Sequence, residues 1–398
     1  MPRFEPFRAH RYPVARPGDI AALVAPPYDV MDVAERDVYA AGDPHNIVHV
    51  DYPVERDGDD RYAAAARLLQ TWVDSAAVSV DPVATFSLYR MTFTDDRGRE
   101  RRTVGVIGAL EVVDEGSTGV RAHERTTPKA KTDRLDLTRA TRANLSPVWG
   151  LSLTSGLSEL LLEPGRPVAT VMTADGVRHD LEVVDDPERV ARIATAVSSS
   201  QVLIADGHHR YAISRTYRDE QRGAGGDGAS ELTMTLVQEL VDDQLSIAAI
   251  HRLVAGHGAH EVLSRLSGFY DATDAGPVSR ETLAGMDSRG AICLVDGDGS
   301  GTYLVPRPGA FAGVRNLDSA RLEHALGDLM PAVTYQHGVD EVLNRVRSGE
   351  AACAVLIRPV SLEEIRHTAE TGELMPPKST FFTPKPLTGM VWRPLDVR

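Results

Sequence analysis

The most informative stretch of this chain reads VLIADGHHRY and covers residues 202–211. It begins with an apolar run and is followed by residues 212–218, whose composition suits a helix. The stretch is therefore predicted to lie where a strand passes into a helix. A helix that begins here points the unpaired N–H groups of its first turn back at the junction, which makes the junction a seat for an anion.

This junction carries an acid, two imidazoles and a guanidinium around one glycine. Arg210 could hold a phosphate or carboxylate through two hydrogen bonds. Asp206 could bind a metal ion or accept a proton, and either His208 or His209 could carry one. Adjacent histidines on an extended chain point to opposite faces, so they are not expected to bind one ion together. The alternative is a plain Asp-Gly turn, but a turn requires neither the histidines nor the arginine.

The composition is that of a globular protein with a buried core. The chain has 398 residues, of which 42% are hydrophobic and 25% are charged. This length favours two domains or one domain with a large insertion. The composition changes near Gly258, which predicts a main domain of residues 1–257 and a C-terminal region of residues 258–398. Cys293 and Cys353 lie in apolar runs, which indicates buried thiols and not a disulfide or a metal pair.

The charge and the hydropathy pattern exclude several classes of partner. The formal net charge is −14, whereas binding to nucleic acid or to an acidic membrane needs a basic surface. Neither nucleic acid nor a membrane is therefore expected as a partner. No apolar stretch reaches transmembrane length, and residues 1–6 lack the apolar core of a signal peptide, so a cytoplasmic protein is predicted.

Short strands and helices alternate along the chain. The alternation predicts a mixed α/β (α+β) fold with partly antiparallel sheets. Hairpins are predicted across residues 95–98 and residues 174–176, where turn residues separate two strand-like runs. Residues 44–50 partly alternate between polar and apolar side chains, which predicts a further strand.

A second charged segment, residues 123–134, concentrates basic side chains in an otherwise acidic protein. Arg125, Lys129 and Lys131 are predicted to bind a phosphorylated ligand there. Glu124 lies between a histidine and an arginine, an arrangement that tunes a general base or a metal-binding carboxylate. The alternative is a solvated loop, which is what runs of charge usually form.

A third segment, residues 375–385, carries lysines and hydroxyl groups. It is not a P-loop, because two prolines stand where the glycine-rich run would be. Lys378, Ser379 and Thr380, together with Lys385, are nevertheless predicted to bind phosphate through ammonium, hydroxyl and backbone N–H groups. The alternative is an ordered C-terminal strand that joins a sheet.

Five segments together mark a family resemblance. They read PPYDV at residues 26–30, HERT at residues 123–126, NLSP at residues 144–147, DGHHRY at residues 206–211 and MPPKST at residues 375–380. In this order they resemble the domain-of-unknown-function family 1015. The resemblance covers essentially the whole chain, but family membership alone implies little chemistry.

Two of these segments, DGHHR and PPKST, also resemble motifs of the free-serine kinases of the ParB/sulfiredoxin-like superfamily. Those enzymes phosphorylate the hydroxyl of free L-serine with a nucleotide donor. The resemblance implies a ParB/sulfiredoxin-like element around the junction and implies Glu124 as the catalytic glutamate. The residues that would surround the transferred phosphoryl group are Asp206, His208, His209 and Arg210. Those that would hold donor or product phosphate are Lys378, Ser379 and Thr380.

The predicted function is a small-molecule kinase that uses ATP, ADP or pyrophosphate as donor and free L-serine as acceptor. Mg²⁺ is predicted to neutralise the donor phosphates with Asp206 as its protein ligand. The residues predicted to contact the substrate are Tyr28, Asp29, Asn144 and Ser146. One alternative is a ParB-like nucleotide-binding or nucleotide-hydrolysing switch that regulates a partner and turns over no metabolite. A nucleic-acid-binding regulator is a further alternative, against which the net charge counts.

Overall fold

The chain forms two compact units. The computed structural model describes residues 1–13, 20–55, 60–95, 98–124, 131–225 and 228–395, without the side chains of residues 131 and 132. Unit 1 comprises Met1–Leu245 and Pro384–Arg398, and unit 2 comprises Ser246–Thr383. The composition change at residue 258 lies inside unit 2 and does not mark this division. The strands at which the chain enters and leaves unit 2 pair with each other, Ile247 opposite Phe382.

Unit 1 contains the strands and helices that carry the junction. Its strands are β1 (Phe4–Glu5), β2 (His10–Arg11), β3 (Ser79–Val80), β4 (Phe86–Thr94), β5 (Glu100–Glu111), β6 (Val120–Ala122), β7 (Ala143–Asn144), β8 (Val148–Ser152), β9 (Arg166–Met172), β10 (Arg178–Val184), β11 (Val202–Asp206), β12 (Leu232–Glu239) and the late β21 (Arg393–Pro394). Its helices are α1 (Val33–Gly42), α2 (Val48–Asp51), α3 (Arg61–Asp74), α4 (Lys131–Thr141), α5 (Leu157–Leu162), α6 (Pro187–Ser198) and α7 (His208–Gly223).

The main sheet of unit 1 is mixed. Its order is β6-β11-β8-β12-β5-β4-β10-β9, and β1 pairs with β5 outside this order. Strand β6 runs parallel to β11 and β8 runs parallel to β12, whereas the other neighbours are antiparallel. Both predicted hairpins are confirmed, because β4 pairs with β5 and β9 pairs with β10. The mixed α/β class with partly antiparallel sheets is likewise confirmed.

Local signals explain where several helices begin. The Asp32 side chain accepts a hydrogen bond from the Glu35 N–H, and the Glu35 side chain accepts one from the Asp32 N–H, which together cap the start of α1. The Asp186 side chain caps α6, whose first residue is Pro187. By contrast, the strand predicted at residues 44–50 is wrong, because its last residues begin helix α2.

The side chain of Asn46 explains this difference. Its Oδ1 accepts a hydrogen bond from the Val48 N–H at 2.9 Å. Its Nδ2 donates to the carbonyls of Ala22 at 2.8 Å and Val24 at 3.1 Å. A buried amide that satisfies three backbone groups outweighs a weak alternation of polar and apolar residues.

The core of unit 1 lies between the main sheet and helices α5, α6 and α7. Phe4 stacks on Phe86 with ring centroids 5.0 Å apart, and Leu157 and Ile193 bring α5 and α6 into the same cluster. Helix α7 contributes Tyr211, whose hydroxyl donates to the Glu111 carbonyl at 2.8 Å and accepts from the Val113 N–H at 2.9 Å. These contacts fix the start of α7 against the end of β5.

Unit 2 is built on one antiparallel sheet. Its strands are β13 (Ile247–Ala248), β14 (Ile250–Val254), β15 (Tyr270–Pro277), β16 (Ile292–Val295), β17 (Ser300–Pro306), β18 (Val333–His337), β19 (Cys353–Leu356) and β20 (Phe381–Phe382). Its helices are α8 (Ala259–Leu266), α9 (Arg280–Arg289), α10 (Asp318–Leu326), α11 (Val339–Arg347) and α12 (Leu362–Thr371). The sheet order is β15-β17-β16-β19-β14-β18.

The two faces of this sheet have separate cores. Helices α8 and α10 pack on one face and helices α9 and α11 on the other, as expected when successive strand residues alternate between faces. Cys293 and Cys353 are buried free thiols, as predicted. Within the described residues, no helix has the length and apolar character that crossing a membrane requires.

Candidate functional site

The predicted strand-to-helix junction is confirmed. Strand β11 ends at Asp206 and helix α7 begins at His208. Gly207 joins them with φ of +80°, the left-handed region that glycine adopts readily. A Cβ at this position would also lie 3.1 Å from the guanidinium of Arg210. In the described part of the chain no side chain caps the start of α7, so the junction presents the positive end of the helix dipole.

Asp206 is the centre of an ion cluster at this junction. Its Oδ1 accepts a hydrogen bond from Nζ of Lys385, and its Oδ2 accepts one from Nη2 of Arg210 at 2.5 Å. Arg210 also donates to the Pro147 carbonyl, and its Nη2 lies 3.4 Å from Oδ2 of Asp29. The side chains of Asp206, Arg210 and Lys385 are only 20%, 9% and 12% exposed, so water screens these contacts little.

The cluster sets the charge of Asp206. Burial by itself would raise the pKa of this carboxyl, but the Lys385 ammonium and the Arg210 guanidinium hold the pKa well below its usual range. The carboxylate is therefore ionised, and both of its oxygens bind cations. This arrangement suits Asp206 to position Lys385 and Arg210, whereas it is poorly suited to accept a proton at neutral pH.

Two histidines lie beside this cluster. The rings of His123 and His208 are 4.9 Å apart. The Nδ1 of His123 lies 2.5 Å from the Ile204 carbonyl, so Nδ1 carries the ring proton. Burial lowers the pKa of His123 to about 4. Burial, reinforced by His123, lowers the pKa of His208 well below its usual value, so both rings are neutral at pH 7.

His208 presents a buried atom that lacks a protein partner. Within the described residues, its Nε2 has no hydrogen-bond partner. An unsatisfied buried nitrogen is uncommon and often marks the position of a ligand or water. His209 occupies the next position of α7, and its predicted catalytic role stays a prediction.

The acidic and basic residues predicted on the middle segment are placed only in part. Oε2 of Glu124 lies 3.9 Å from Nε2 of His123, which brings this predicted catalytic glutamate to the edge of the cluster. Arg125 and Lys129 lie outside the described residues, as does the side chain of Lys131. Their predicted role in binding phosphate stays a prediction.

The residues predicted to contact substrate have different environments. Tyr28 lies in a short 3₁₀ turn, Tyr28–Val30, and its ring faces the guanidinium of Arg134 at 3.9 Å. Asp29 adjoins the cluster through Arg210. Oδ1 of Asn144 accepts a hydrogen bond from the Met234 N–H at 3.0 Å, and its predicted contact with substrate stays a prediction.

A small cavity connects Ser146 to this region. Its volume is about 40 Å³, and its walls include Arg210, Arg134, Asn144 and Ser146. This space admits a few water molecules and is too small for a nucleotide. A donor would therefore have to bind at the exposed edge of the cluster.

The C-terminal phosphate motif divides between the two units. Lys385 belongs to unit 1 and reaches Asp206 across 179 sequence positions. Lys378, Ser379 and Thr380 belong to unit 2. Oγ of Ser379 donates to the Pro376 carbonyl at 2.8 Å, which is a local structural contact. The role of these three residues in binding phosphate stays a prediction.

The described residues do not fit a resident Mg²⁺ at Asp206. Its two carboxylate oxygens already accept hydrogen bonds from the Lys385 ammonium and the Arg210 guanidinium. Across the described ranges, no three side chains among His, Cys, Asp and Glu come together as metal ligands. A Mg²⁺ site would need several oxygen ligands or water held by carboxylates.

Three residues of this region have no role predicted from the sequence. They are His123 and Arg134, at the two ends of the charged segment, and Asp51. Arg134 donates to Oδ1 of Asp51 at 2.6 Å and holds Tyr28 in place. One signal supports Lys385: the only lysines in the chain are Lys129, Lys131, Lys378 and Lys385, and all lie in the two basic segments.

The chain belongs to a family of proteins of unknown function, DUF1015, whose model matches residues 4–320. This confirms the family that the five motifs indicated. A search of curated proteins found no match.

Several solved structures are similar to the chain at low identity. A mutant free serine kinase in complex with ADP is 13% identical, with a TM-score of 0.38, over 70% of this chain and 87% of that one. A conserved hypothetical protein from Pyrococcus furiosus is 13% identical, with a TM-score of 0.38, over 72% of this chain and 93% of that one. SbnI with a C-terminal truncation, from Staphylococcus aureus, is 13% identical, with a TM-score of 0.40, over 73% of this chain and 87% of that one. These scores are too low to assign a common fold, so the predicted ParB/sulfiredoxin-like element stays a prediction.

Proposed function

We propose that unit 1 transfers a phosphoryl group from a phosphorylated donor to the hydroxyl of a small molecule, with free L-serine as the acceptor. This proposal rests on one observation. Asp206 accepts hydrogen bonds from Lys385 and Arg210 at the start of α7, where no side chain among the described residues caps the helix. Phosphoryl transfer asks a protein mainly for positioned positive charge. A carboxylate that fixes an ammonium and a guanidinium beside a helix N-terminus supplies it.

In this proposal Asp206 is a positioning residue, and Lys385 and Arg210 contact the phosphoryl group. Arg210 has a planar fork of donors that matches a phosphate, and Lys385 adds a compact point charge. Because both are largely buried, their attraction for a phosphate is stronger than it would be in water. The cluster thereby pre-orders the charges that the transition state needs.

The acceptor hydroxyl must lose its proton, and we propose His208 as the group that takes it. Its Nε2 is buried and has no hydrogen-bond partner within the described part of unit 1, and the negative charge of a bound phosphate would counter the lowering of its pKa by burial. Glu124 is the other candidate, since it lies at the edge of the cluster. Substitution of each residue distinguishes them, as described in the Discussion.

The proposed phosphoryl donor is ATP, ADP or pyrophosphate. A resident Mg²⁺ at Asp206 is not part of the proposal, because cations already bind both carboxylate oxygens. Mg²⁺ is therefore supplied with the donor in the assay, and no catalytic step is assigned to it.

The test is a transfer assay on the full chain. The protein is incubated with L-serine, Mg²⁺ and each of ATP, ADP, CTP and pyrophosphate, and O-phosphoserine is measured by mass spectrometry. We expect serine-dependent product with at least one donor and its loss in Lys385→Ala. Arg222→Ala is the matched control, because Arg222 lies at the far end of the same helix and pairs with Glu231 at 2.5 Å.

The outcomes separate the proposal from its alternative. If the donor is hydrolysed at the same rate with and without L-serine, the result would favour the nucleotide-binding switch. Equal loss of product in Arg222→Ala and Lys385→Ala would show that the cluster has no special role. No turnover of any donor, with or without serine, would contradict both functions.

A further inference from the structure

We propose that unit 2 carries a separate binding site for a small phosphorylated metabolite, in a cavity lined by Arg289, Arg307, Arg321 and Phe311. The volume of this cavity is about 520 Å³. That lies within the range of roughly 300–1,000 Å³ that small-molecule sites occupy. The site is built entirely from unit 2 residues and does not depend on the function proposed for unit 1.

Three different elements bring the arginines together. Arg289 is the last residue of α9, Arg307 directly follows β17, and Arg321 lies on α10. The aromatic rings of Tyr303 and Phe311 support two of them, with Arg289 at 4.7 Å and Arg321 at 5.3 Å from the ring centroids. Convergence from separate elements distinguishes this cavity from a run of charge along one helix.

The charge of the cavity is unbalanced. Among its lining residues, all in the described part of unit 2, none is acidic. Arg307 forms an ion pair with Asp271, whose Oδ1 accepts a hydrogen bond from Nε of Arg307 at 2.8 Å. Arg289 donates only to neutral oxygens in its contacts with Gly285 and Ser288. Among the described residues, neither Arg289 nor Arg321 forms an ion pair, so these two guanidinium groups leave positive charge that attracts an anion.

A fourth guanidinium lies close to the same wall. Nη1 of Arg358 would be 3.6 Å from a Cβ at Gly290, which lines the cavity. Asp318 compensates this arginine through two hydrogen bonds, at 2.7 and 2.9 Å. Asp318 therefore forms its ion pair with Arg358.

Two buried polar atoms beside Phe311 have no protein partner. They are Nε of Arg321 and the hydroxyl of Tyr270, neither of which finds a hydrogen bond among the described residues. The Tyr270 ring contacts Phe311 with centroids 5.2 Å apart. Unsatisfied buried donors are uncommon, and Arg321, which carries one of the two, is itself a lining residue of the cavity.

The donor set and the volume define the ligand class. Guanidinium groups bind phosphate through paired hydrogen bonds, and a phosphate dianion accepts more of them than a carboxylate does. A bare phosphate would leave most of a cavity of about 520 Å³ empty. A phosphate ester of sugar size, with its carbon skeleton against Phe311, fits both observations.

The experiment is calorimetric titration of the full chain with ribose 5-phosphate, inorganic phosphate and citrate. Arg289→Ala and Arg307→Ala are the test variants, since both side chains are exposed and their loss does not threaten folding. Arg280→Ala is the matched control, because Arg280 begins helix α9 and pairs with Asp340 at 3.0 Å. We expect each test variant to weaken ribose 5-phosphate binding about tenfold or more, and the control to bind like the original protein.

Four results would overturn the proposal. One is the absence of binding of ribose 5-phosphate at millimolar concentration, and another is equal affinity in all variants. The third is tighter binding of citrate than of ribose 5-phosphate, which would exclude the phosphate class. A Lys385→Ala variant separates the two units: ribose 5-phosphate binding that disappears in this variant but persists in Arg289→Ala would assign the ligand to unit 1.

Discussion

Removing the ammonium of Lys385 tests the cluster around Asp206 most directly. The substitution Lys385→Met keeps the side-chain length but leaves Asp206 with Arg210 as its remaining cation. Breaking a buried ion pair costs about 3–5 kcal/mol, and a hydrogen bond to a charged group contributes about 1.5–3 kcal/mol. Because Arg210 remains and Asp206 is 20% exposed, we expect less than a fully buried pair would give, a loss of about 2 kcal/mol in the free energy of unfolding.

Tryptophan fluorescence during urea denaturation measures this loss. The three tryptophans, Trp72, Trp149 and Trp392, all lie in unit 1 and are buried, so the signal reports on the unit that contains the cluster. A double-mutant cycle with Asp206→Asn isolates the interaction from the loss of packing. We expect a coupling energy of about 1.5–3 kcal/mol between the two residues.

The pH dependence supplies an independent check. The folded-state pKa of Asp206 is held below its value in the unfolded chain, so its contribution to stability is present above about pH 4 and is lost as the pH falls further. The difference between Lys385→Met and the original protein should therefore narrow below about pH 4. A coupling energy within about 0.5 kcal/mol of zero, or a difference that does not change with pH, would refute the reasoning.

Three further predictions concern the same junction. Gly207→Ala should destabilise unit 1 by about 1–3 kcal/mol, because φ is +80° and the new Cβ meets Arg210 at 3.1 Å; urea denaturation measures this, and an unchanged midpoint would contradict it. Burial lowers the folded pKa of His123 to about 4, so its contribution to stability is present above about pH 6.5 and lost as the pH falls towards 4. His123→Gln should then show a shallower fall of stability between these pH values, and an identical slope would exclude the effect. If His208 accepts the hydroxyl proton, His208→Asn should lower the rate of phosphoserine formation about 10²- to 10⁴-fold and Glu124→Gln much less; the reverse order would assign the proton to Glu124.

Much of the junction follows from local sequence. An apolar run followed by a segment that suits a helix predicts a strand that passes into a helix, and β11 and α7 have this form. The two hairpins were predictable for the same reason, since turn residues stand between strand-like runs. Residues 44–50 show where prediction from local sequence fails. The side chain of Asn46 donates hydrogen bonds to carbonyls that lie more than twenty positions away, and no local pattern reveals these contacts.

The amino-acid sequence by itself determined the family, the class of fold and the residue types that carry chemistry, because these depend on motifs and on the periodicity of neighbouring residues. Only the tertiary structure decided that Lys385 meets Asp206, that Arg134 binds Asp51 and that three arginines of unit 2 share one cavity. A local sequence pattern cannot predict these contacts, because they join residues that are far apart in the chain. Burial, which sets the charge of His123 and His208, likewise exists only after distant segments have packed together.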